Sequence, residues 1–538
     1  MNRNNIVKAI VYFVSSFSFL LVLFYILFLS LGYYHSDCVD SILWADAALQ
    51  GKGMINPEFR YAAIMPLGGQ LFFMPFVAIF GFTTKAQILG IVLFYICFAT
   101  SILFMCYAMK LEVKWSFSIM AFVIMLVATS EKLREIFYGH IIYYSLGLLF
   151  LFVGIGLVFL FLEEWKKNKG KKNNKNISNN KKLIIFGIFL FIWTAICATN
   201  GMQVLALYSF PLLGALVGVC FLDFKNKLLD NINLNKYAVA FVLLVSTAVG
   251  MEIGRIICNG VESGYEKAYS GFSLYTEWSE NFNSMFPKLF MLLGVETTQG
   301  ITLFSMDGII NLVRICFGIM VVVTPIIMLF FYRKFNEQYR IFLLTHHILA
   351  IIILSGWTFG KLSAANWRLS PMLVTGAILN ILFVRWILKN KDYQRWGVLM
   401  MIPMAILVVI TSVNLLKLED KNSNVTEITE LIETLEDNNL EYGYGTFWNA
   451  GITTLLSDSK VKVRNINIDE SGIHKYLYQT NDNWYENATG YDKYFVVMTH
   501  QEYMMYVNNM DRFEKADEIL ESSSFKILIY NHNIFGFQ

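Results

Sequence analysis

Long stretches without a single charge decide what this chain can fold into. Residues 9–34, 86–109 and 183–222 contain no Asp, Glu, Lys or Arg. A helix needs about 20 apolar residues to cross a bilayer. The first two blocks therefore hold one span each, and the third has room for two. Over the whole chain only 15% of residues are charged and 56% are hydrophobic, against roughly 25% charged in soluble domains. The first run is too long for a signal-peptide core and lacks a small-residue cleavage site, so it is expected to stay as an anchor.

Lysine placement sets the expected orientation. Residues 163–182 hold eight lysines against Glu163 and Glu164, which the positive-inside rule puts in the cytoplasm. The basic loops 110–114, 223–227, 333–340 and 389–395 and the N-terminus follow the same side. With all of these inside, the spans read 9–34, 86–109, 115–130, 141–162, 183–199, 203–222, 237–258, 310–332, 341–359, 370–388 and 397–416. This gives about eleven helices over residues 1–416, in the plasma membrane, with the N-terminus cytoplasmic and the C-terminus outside. Residues 61–82 are uncharged but carry Pro66, Gly68, Gly69, Pro75 and Gly81, which disfavour a straight helix. They read as a re-entrant or interface-lying segment, because counting them as a span would turn the lysine-rich loop outward.

The outer face then receives loop 35–85, the turns 131–140 and 360–369, the large loop 259–309 and everything after residue 416. Loop 35–85 opens HSDCVDSILWADAALQGKG, with Asp37 and Asp40 close to the end of the first span and Asp46 beyond them. Carboxylates at a membrane boundary are costly to desolvate, so they are candidates for function; helix-end solvation is the plain alternative. The turn EKLREIFYGH brings Glu131, Arg134, Glu135, Tyr138 and His140 between two apolar runs, either as an exposed Arg–Glu pair or as one wall of a cleft. Lys361 and Arg368 stand in the outer turn 360–369, against the bias of the other basic loops. Two cations at headgroup level suit a lipid phosphate, or they snorkel to ordinary headgroups. Glu262, Tyr265, Glu266 and Lys267 are lesser candidates, and Glu252 and Arg255 are spaced to pair along a helix.

The composition changes after Lys417. TEITELIETLED reads as an amphipathic helix, LEYGYGTF, KVKVRNINI, KYFVVMT and FKILIYN read as strands, and a helix is expected near 500–510. Residues 417–538 therefore predict a soluble extracytoplasmic α/β domain. The aromatics of YGYGTFWNAG suit core packing better than contact with sugar faces. No Walker loop or GxGxxG occurs, and no basic tract interleaved with aromatics suggests nucleic acid. The seven cysteines show no zinc spacing, and only Cys38 and Cys258 are placed to leave a disulfide open.

Loop 35–85 resembles the first outer loop of the GT-C superfamily, membrane glycosyltransferases that use polyprenyl-phosphate sugars. Protein O-mannosyltransferases and lipid A aminoarabinose transferases belong to it. The likeness is carried by Asp40, Trp44-Ala45, Gly51 or Gly53, Pro57, Pro66 and Phe80-Gly81, in that order. Ser41 stands where the family has a Glu, and Asp37 is the other carboxylate within reach, so the base is open between Asp40 and Asp37. No WWDYG-like string occurs, which argues against an oligosaccharyltransferase. The resemblance implies inverting sugar transfer from a polyprenyl-phosphate carrier to a glycan, lipid or protein acceptor on the outer face. Asp40 or Asp37 would be the base, and Lys361 and Arg368 would bind the donor phosphate. His35, Trp44, Arg134, Tyr138 and His140 would line the substrate site. Metal dependence stays open, since the family contains both kinds. The competing expectation is a polytopic transporter or lipid flippase, although no half-to-half repeat is apparent.

Overall fold

The computed structural model describes residues 3–141, 143–170, 177–223, 234–261, 271–296, 300–486 and 488–536. Glu262, Tyr265, Glu266 and Lys267 lie outside the described residues. Among the described residues, ten helices are long and apolar enough to cross a membrane: Asn5–Tyr33, Thr84–Ala108, Tyr144–Asn168, Lys181–Ala198, Met202–Leu222, Leu234–Ile257, Met306–Phe330, Glu337–Thr358, Asn366–Leu388 and Gln394–Leu416. Each overlaps one span expected from the sequence, and the chain is a multi-pass membrane protein.

The eleventh span departs from expectation. Residues 115–130 do not form one straight helix. Helix α5 (Val113–Leu126) stops, and helix α6 (Glu131–Tyr138) leaves it at 113°. Fourteen residues rise only about 21 Å, so α5 is long enough to cross only when taken with α6 as one broken span. The break is stabilised locally. Ser130 Oγ accepts from Leu133 N–H at 3.2 Å as the N-cap of α6. Arg134 Nη1 donates to the Ala128 carbonyl at 3.1 Å, so a helix-end carbonyl is satisfied by a side chain. The segment 61–82 holds helix α3 (Gln70–Phe80), with Pro75 inside it. Eleven residues rise about 16 Å, too short to cross.

Charge divides the two ends of the bundle. At one end basic loops are tied together by Lys110–Glu163 at 3.0 Å, Lys236–Glu337 at 2.9 Å and Lys389–Glu112 at 3.2 Å. At the other end the first span unwinds. Helix α1 (Arg3–Phe24) passes through a π turn at Tyr25–Leu29 and a 3-10 turn at Ser30–Tyr33 before the chain reaches helix α2 (Asp40–Gln50). None of the seven cysteines forms a disulfide, Cys38 and Cys258 included. Arg255 and Glu252 pair at 2.6 Å, as their spacing implied.

The C-terminal region is a mixed α/β domain. Strands β2 (Tyr442–Thr446), β3 (Lys462–Asp469), β4 (Gly472–Lys475), β6 (Tyr494–Thr499), β7 (Glu518–Glu521) and β8 (Phe525–Tyr530) form a sheet in the order β4-β3-β2-β6-β8-β7. Central β2 runs parallel to β3 and β6. The helix Ser423–Asp437 buries Val425, Ile428, Leu431, Ile432 and Leu435, one face at helical spacing. The string YGYGTFWNAG divides: Tyr442–Thr446 is strand, and a helix begins at Phe447. Tyr442 and Tyr444 are core, whereas Trp448 is 60% exposed.

This domain is fastened to loop 35–85. Strand β1 (Phe59–Arg60) pairs antiparallel with β5 (Thr480–Asn481), and Arg60 meets Asp482 at 3.2 Å. Thr84 donates twice to Asp458, from N–H at 2.8 Å and from Oγ1 at 2.7 Å. Asn422 N–H donates to the Gly32 carbonyl at 2.9 Å. The domain therefore covers the end of the bundle where α1 unwinds.

Candidate active site

Asp40 opens helix α2, and its placement is over-determined. Gln87 Nε2 donates to the Cys38 carbonyl at 3.0 Å, and Ser41 Oγ donates to the Ile141 carbonyl at 3.0 Å. A side chain on Gly69 would run into that same Ile141 oxygen, so the turn after α6, α2 and the start of α3 lie against each other. The result is a close contact between two distant segments: His140 Nε2 stands 3.2 Å from Asp40 Oδ2.

Asp40 is 4% exposed. Burial pushes its carboxyl up to about 6, and the His140 contact only partly restrains the rise. Burial alone would depress His140, yet the Asp40 carboxylate outweighs it and the imidazole is raised. The two behave as one proton-sharing pair.

A second cluster lies beside the first. His35 Nε2 meets Glu135 Oε2 at 3.1 Å, and its Nδ1 is 3.9 Å from Asp37. Lys132 is ion-paired with the same Glu135 carboxylate. Burial works against the charge on Glu135, but His35 and Lys132 win and hold it down at about 2. The expected Arg–Glu pair is absent here, because Arg134 turns inward to the Ala128 carbonyl and lies over the Tyr25 ring. His35, Asp37 and Glu135 bring potential metal-ligating atoms within 4.8 Å of one another. Two carboxylates and an imidazole suit a divalent ion, but Lys132 already supplies a cation to Glu135. The set therefore fits a resident ion poorly.

The other expected residues are distributed as follows. Trp44 is 1% exposed and donates its indole N–H to Gln479 Oε1 at 2.6 Å. Tyr138 is fully buried and bonds to the Ile124 carbonyl at 2.9 Å. Both fix the scaffold instead of facing open space. Arg368 is 5% exposed, and its Nη1 donates to the Lys361 carbonyl at 2.6 Å. The turn holding these two cations approaches α6, since Lys132 lies 4.8 Å over the Trp367 ring. Trp448, from the C-terminal domain, faces His35 with ring centroids 6.3 Å apart.

Asp40 lines a cavity of about 290 Å³ between α2 and the C-terminal domain. Asp46 and Gln50 continue its wall on α2, while Phe447, Lys462, Arg464, Gln479 and Trp484 close the far side. Asp37, Lys361 and Arg368 are not part of this lining. Arg464 lies 3.9 Å over the Trp484 ring. Gln479 has φ +54°, a left-handed conformation that costs a non-glycine residue about 1–2 kcal/mol. That strain is held in place where Gln479 receives Trp44. Sequence reading missed Lys462, Arg464, Gln479 and Trp484, because no local pattern announces a strand that packs on a loop some four hundred residues away.

No protein-family model matches the chain, and no curated protein matches it. Among solved structures it is similar to the oligosaccharyltransferase of Archaeoglobus fulgidus, tethered by a disulfide to an acceptor peptide containing the NVT sequon. The identity is 10% and the TM-score 0.48, over 97% of this chain and 74% of that one. It is also similar to ArnT from Cupriavidus metallidurans in the apo state, at 10% identity and TM-score 0.41, over 97% and 98% of the two chains. Both likenesses are too remote to assign an activity.

Proposed function

We propose that this protein is a membrane glycosyltransferase, moving a sugar from a polyprenyl-phosphate carrier to an acceptor on the outer face with inversion. The observation that carries the reading is a buried carboxylate, Asp40, in the wall of a cavity and bonded to His140. The resemblance of the loop around it to polyprenyl-phosphate-sugar transferases supplies the reaction class. The basic loops gather at the opposite end of the bundle, which supports an extracytoplasmic site by the positive-inside rule.

Asp40 acts as the general base. Its proton affinity, near neutrality at about 6, suits a group that must be ionised yet able to hold a proton. The acceptor hydroxyl gives its proton to Asp40 as its oxygen attacks the anomeric carbon. The bond to the carrier phosphate breaks from the opposite face, and the electron pair leaves with the polyprenyl phosphate. His140 holds the carboxylate in place and counters its charge. Lys361 and Arg368 neutralise the departing phosphate; the Lys132–Trp367 contact, which holds their turn against α6, supports that role. Asp37, outside the cavity lining and beside His35, is the weaker candidate for base.

The test is incubation of the purified protein with radiolabelled polyprenyl-phosphate sugars and total envelope acceptors. Consumption of one donor, with label moved to acceptor, is expected in the wild type and lost in Asp40→Asn. A protein that moves the intact lipid between leaflets without consuming it is a flippase, and the proposal fails.

A further inference from the structure

The cavity beside Asp40 is built for more than a neutral hydroxyl. Among the described residues, two of its buried donor atoms have no hydrogen-bond partner and a third donor is held by one long contact. Lys462 makes no ion pair, and its ammonium has only the Tyr491 hydroxyl at 3.5 Å. Arg464 stacks on Trp484, and its buried Nε makes no hydrogen bond within the protein. Gln479 is fully buried, and its Nε2 likewise makes none. A buried donor that finds no partner is costly to keep out of water, and a partly buried cation more so. Asp46 answers them only in part: its carboxylate feels the charges of Arg464 and Lys462, but it accepts its hydrogen bond from Gln50 Nε2 at 2.7 Å and, among the described residues, forms no ion pair with either cation.

The cavity also continues outward. A second one, of about 450 Å³, shares Gln50 and Trp484 with the first and is lined further by Asn56, Glu58, Asn481 and Asn483. Amide side chains around an indole form a polar wall with one flat apolar face, which matches the alternating hydroxyls and C–H faces of a saccharide. Two adjoining cavities of about 290 and 450 Å³ are within the range of small-ligand sites.

We infer that this groove binds the acceptor, and that the acceptor is an anionic saccharide whose charged group sits between Lys462 and Arg464 while its reacting hydroxyl faces Asp40. Arg464 offers its planar fork to a phosphate or carboxylate, Lys462 supplies a second charge, and Gln479 Nε2 donates to a ring or hydroxyl oxygen. The outer amides hold the rest of the chain. This inference rests on the glycosyltransferase reading for the word acceptor, but the anionic-saccharide site stands or falls separately.

Binding separates the two. Maltose and maltose 1-phosphate are titrated against the detergent-purified full chain by calorimetry, with inorganic phosphate as a third probe. The phosphorylated sugar is expected to bind at least about tenfold more tightly than maltose, and more tightly than phosphate alone. The difference should shrink in about 0.5 M salt, where the screening length is only a few ångströms. Lys462→Gln, which removes no ion pair among the described residues, and the double variant K462Q/R464Q should abolish the preference. Lys462→Arg should retain it. Equal affinity for the two sugars, binding of neither, or a preference that survives K462Q/R464Q overturns the inference. Charge-selective binding in a protein that consumes no polyprenyl-phosphate sugar leaves the site standing and removes the transferase reading. Transfer without charge selectivity does the reverse.

Discussion

Replacing Asp40 by Asn separates catalysis from stability, because the two are expected to move in opposite directions. The carboxyl rises from an ordinary 3.8 to about 6 in the fold. At about 1.4 kcal/mol for each tenfold change in proton affinity, keeping it ionised costs the folded state about 3 kcal/mol. The sign follows from linkage. A carboxyl raised on folding favours the native state when protonated, so that stability is present at acid pH and is lost as the pH climbs from about 4 to about 6. Asn never ionises, and its side-chain oxygen can still face His140. The imidazole loses a counter-charge, which offsets part of the gain. Asp40→Asn should therefore be more stable than the wild type by about 1–3 kcal/mol at about pH 7.5 and no more stable at about pH 4. Its transfer rate should fall by about 10²–10⁴, the usual worth of a general base. Thermal unfolding in detergent at both pH values, with single-turnover transfer at the higher one, measures all three. A rate within about threefold of the wild type, or a loss of stability near neutral pH, refutes the reasoning.

Three further substitutions probe the surroundings of Asp40. In His140→Asn the partner that restrains Asp40 is gone, so the acid limb of the transfer rate, expected near pH 6, should move upward by about one pH unit; a pH–rate profile with an unmoved limb removes His140 from the site. Glu135→Gln leaves Lys132 and His35 without their carboxylate and should cost about 3 kcal/mol at neutral pH. Since Glu135 is depressed to about 2, its stabilisation is present above its ordinary 4.5 and is lost as the pH falls toward 2, so thermal unfolding should show the two proteins converging in acid. Gly69→Ala places a methyl against the Ile141 carbonyl and should shift His140 away from Asp40, lowering turnover at least about tenfold while circular dichroism shows the helices intact.

The membrane-spanning part was legible because its signal is local. A run of about 20 apolar residues has few alternatives, and ten such runs became helices. The bend after α5 was not legible: residues 115–130 carry the composition of a span, and what breaks them is the Ser130 cap and Arg134 folding back on Ala128. Asp40 stood out as a carboxylate at a membrane boundary, and His140 as part of a crowded polar turn, but their contact is a product of packing around Gly69 and Ser41. Trp44 was expected at the substrate and is instead a buried anchor, since an indole N–H finds its partner wherever the fold provides one. The far wall of the cavity had no local sign at all, because Lys462 and Arg464 read as ordinary alternating charges on a strand.

The clip between Phe59–Arg60 and Thr480–Asn481 has a consequence for biosynthesis. The ribosome makes the segment bearing Asp40 early and the segment that walls it in nearly last. Until residues 440–485 have folded against the loop, Asp40 lacks the Lys462–Arg464 wall opposite it. Before that closure the cavity beside Asp40 is incomplete, and a premature stop codon before residue 462 would leave the long helices without it.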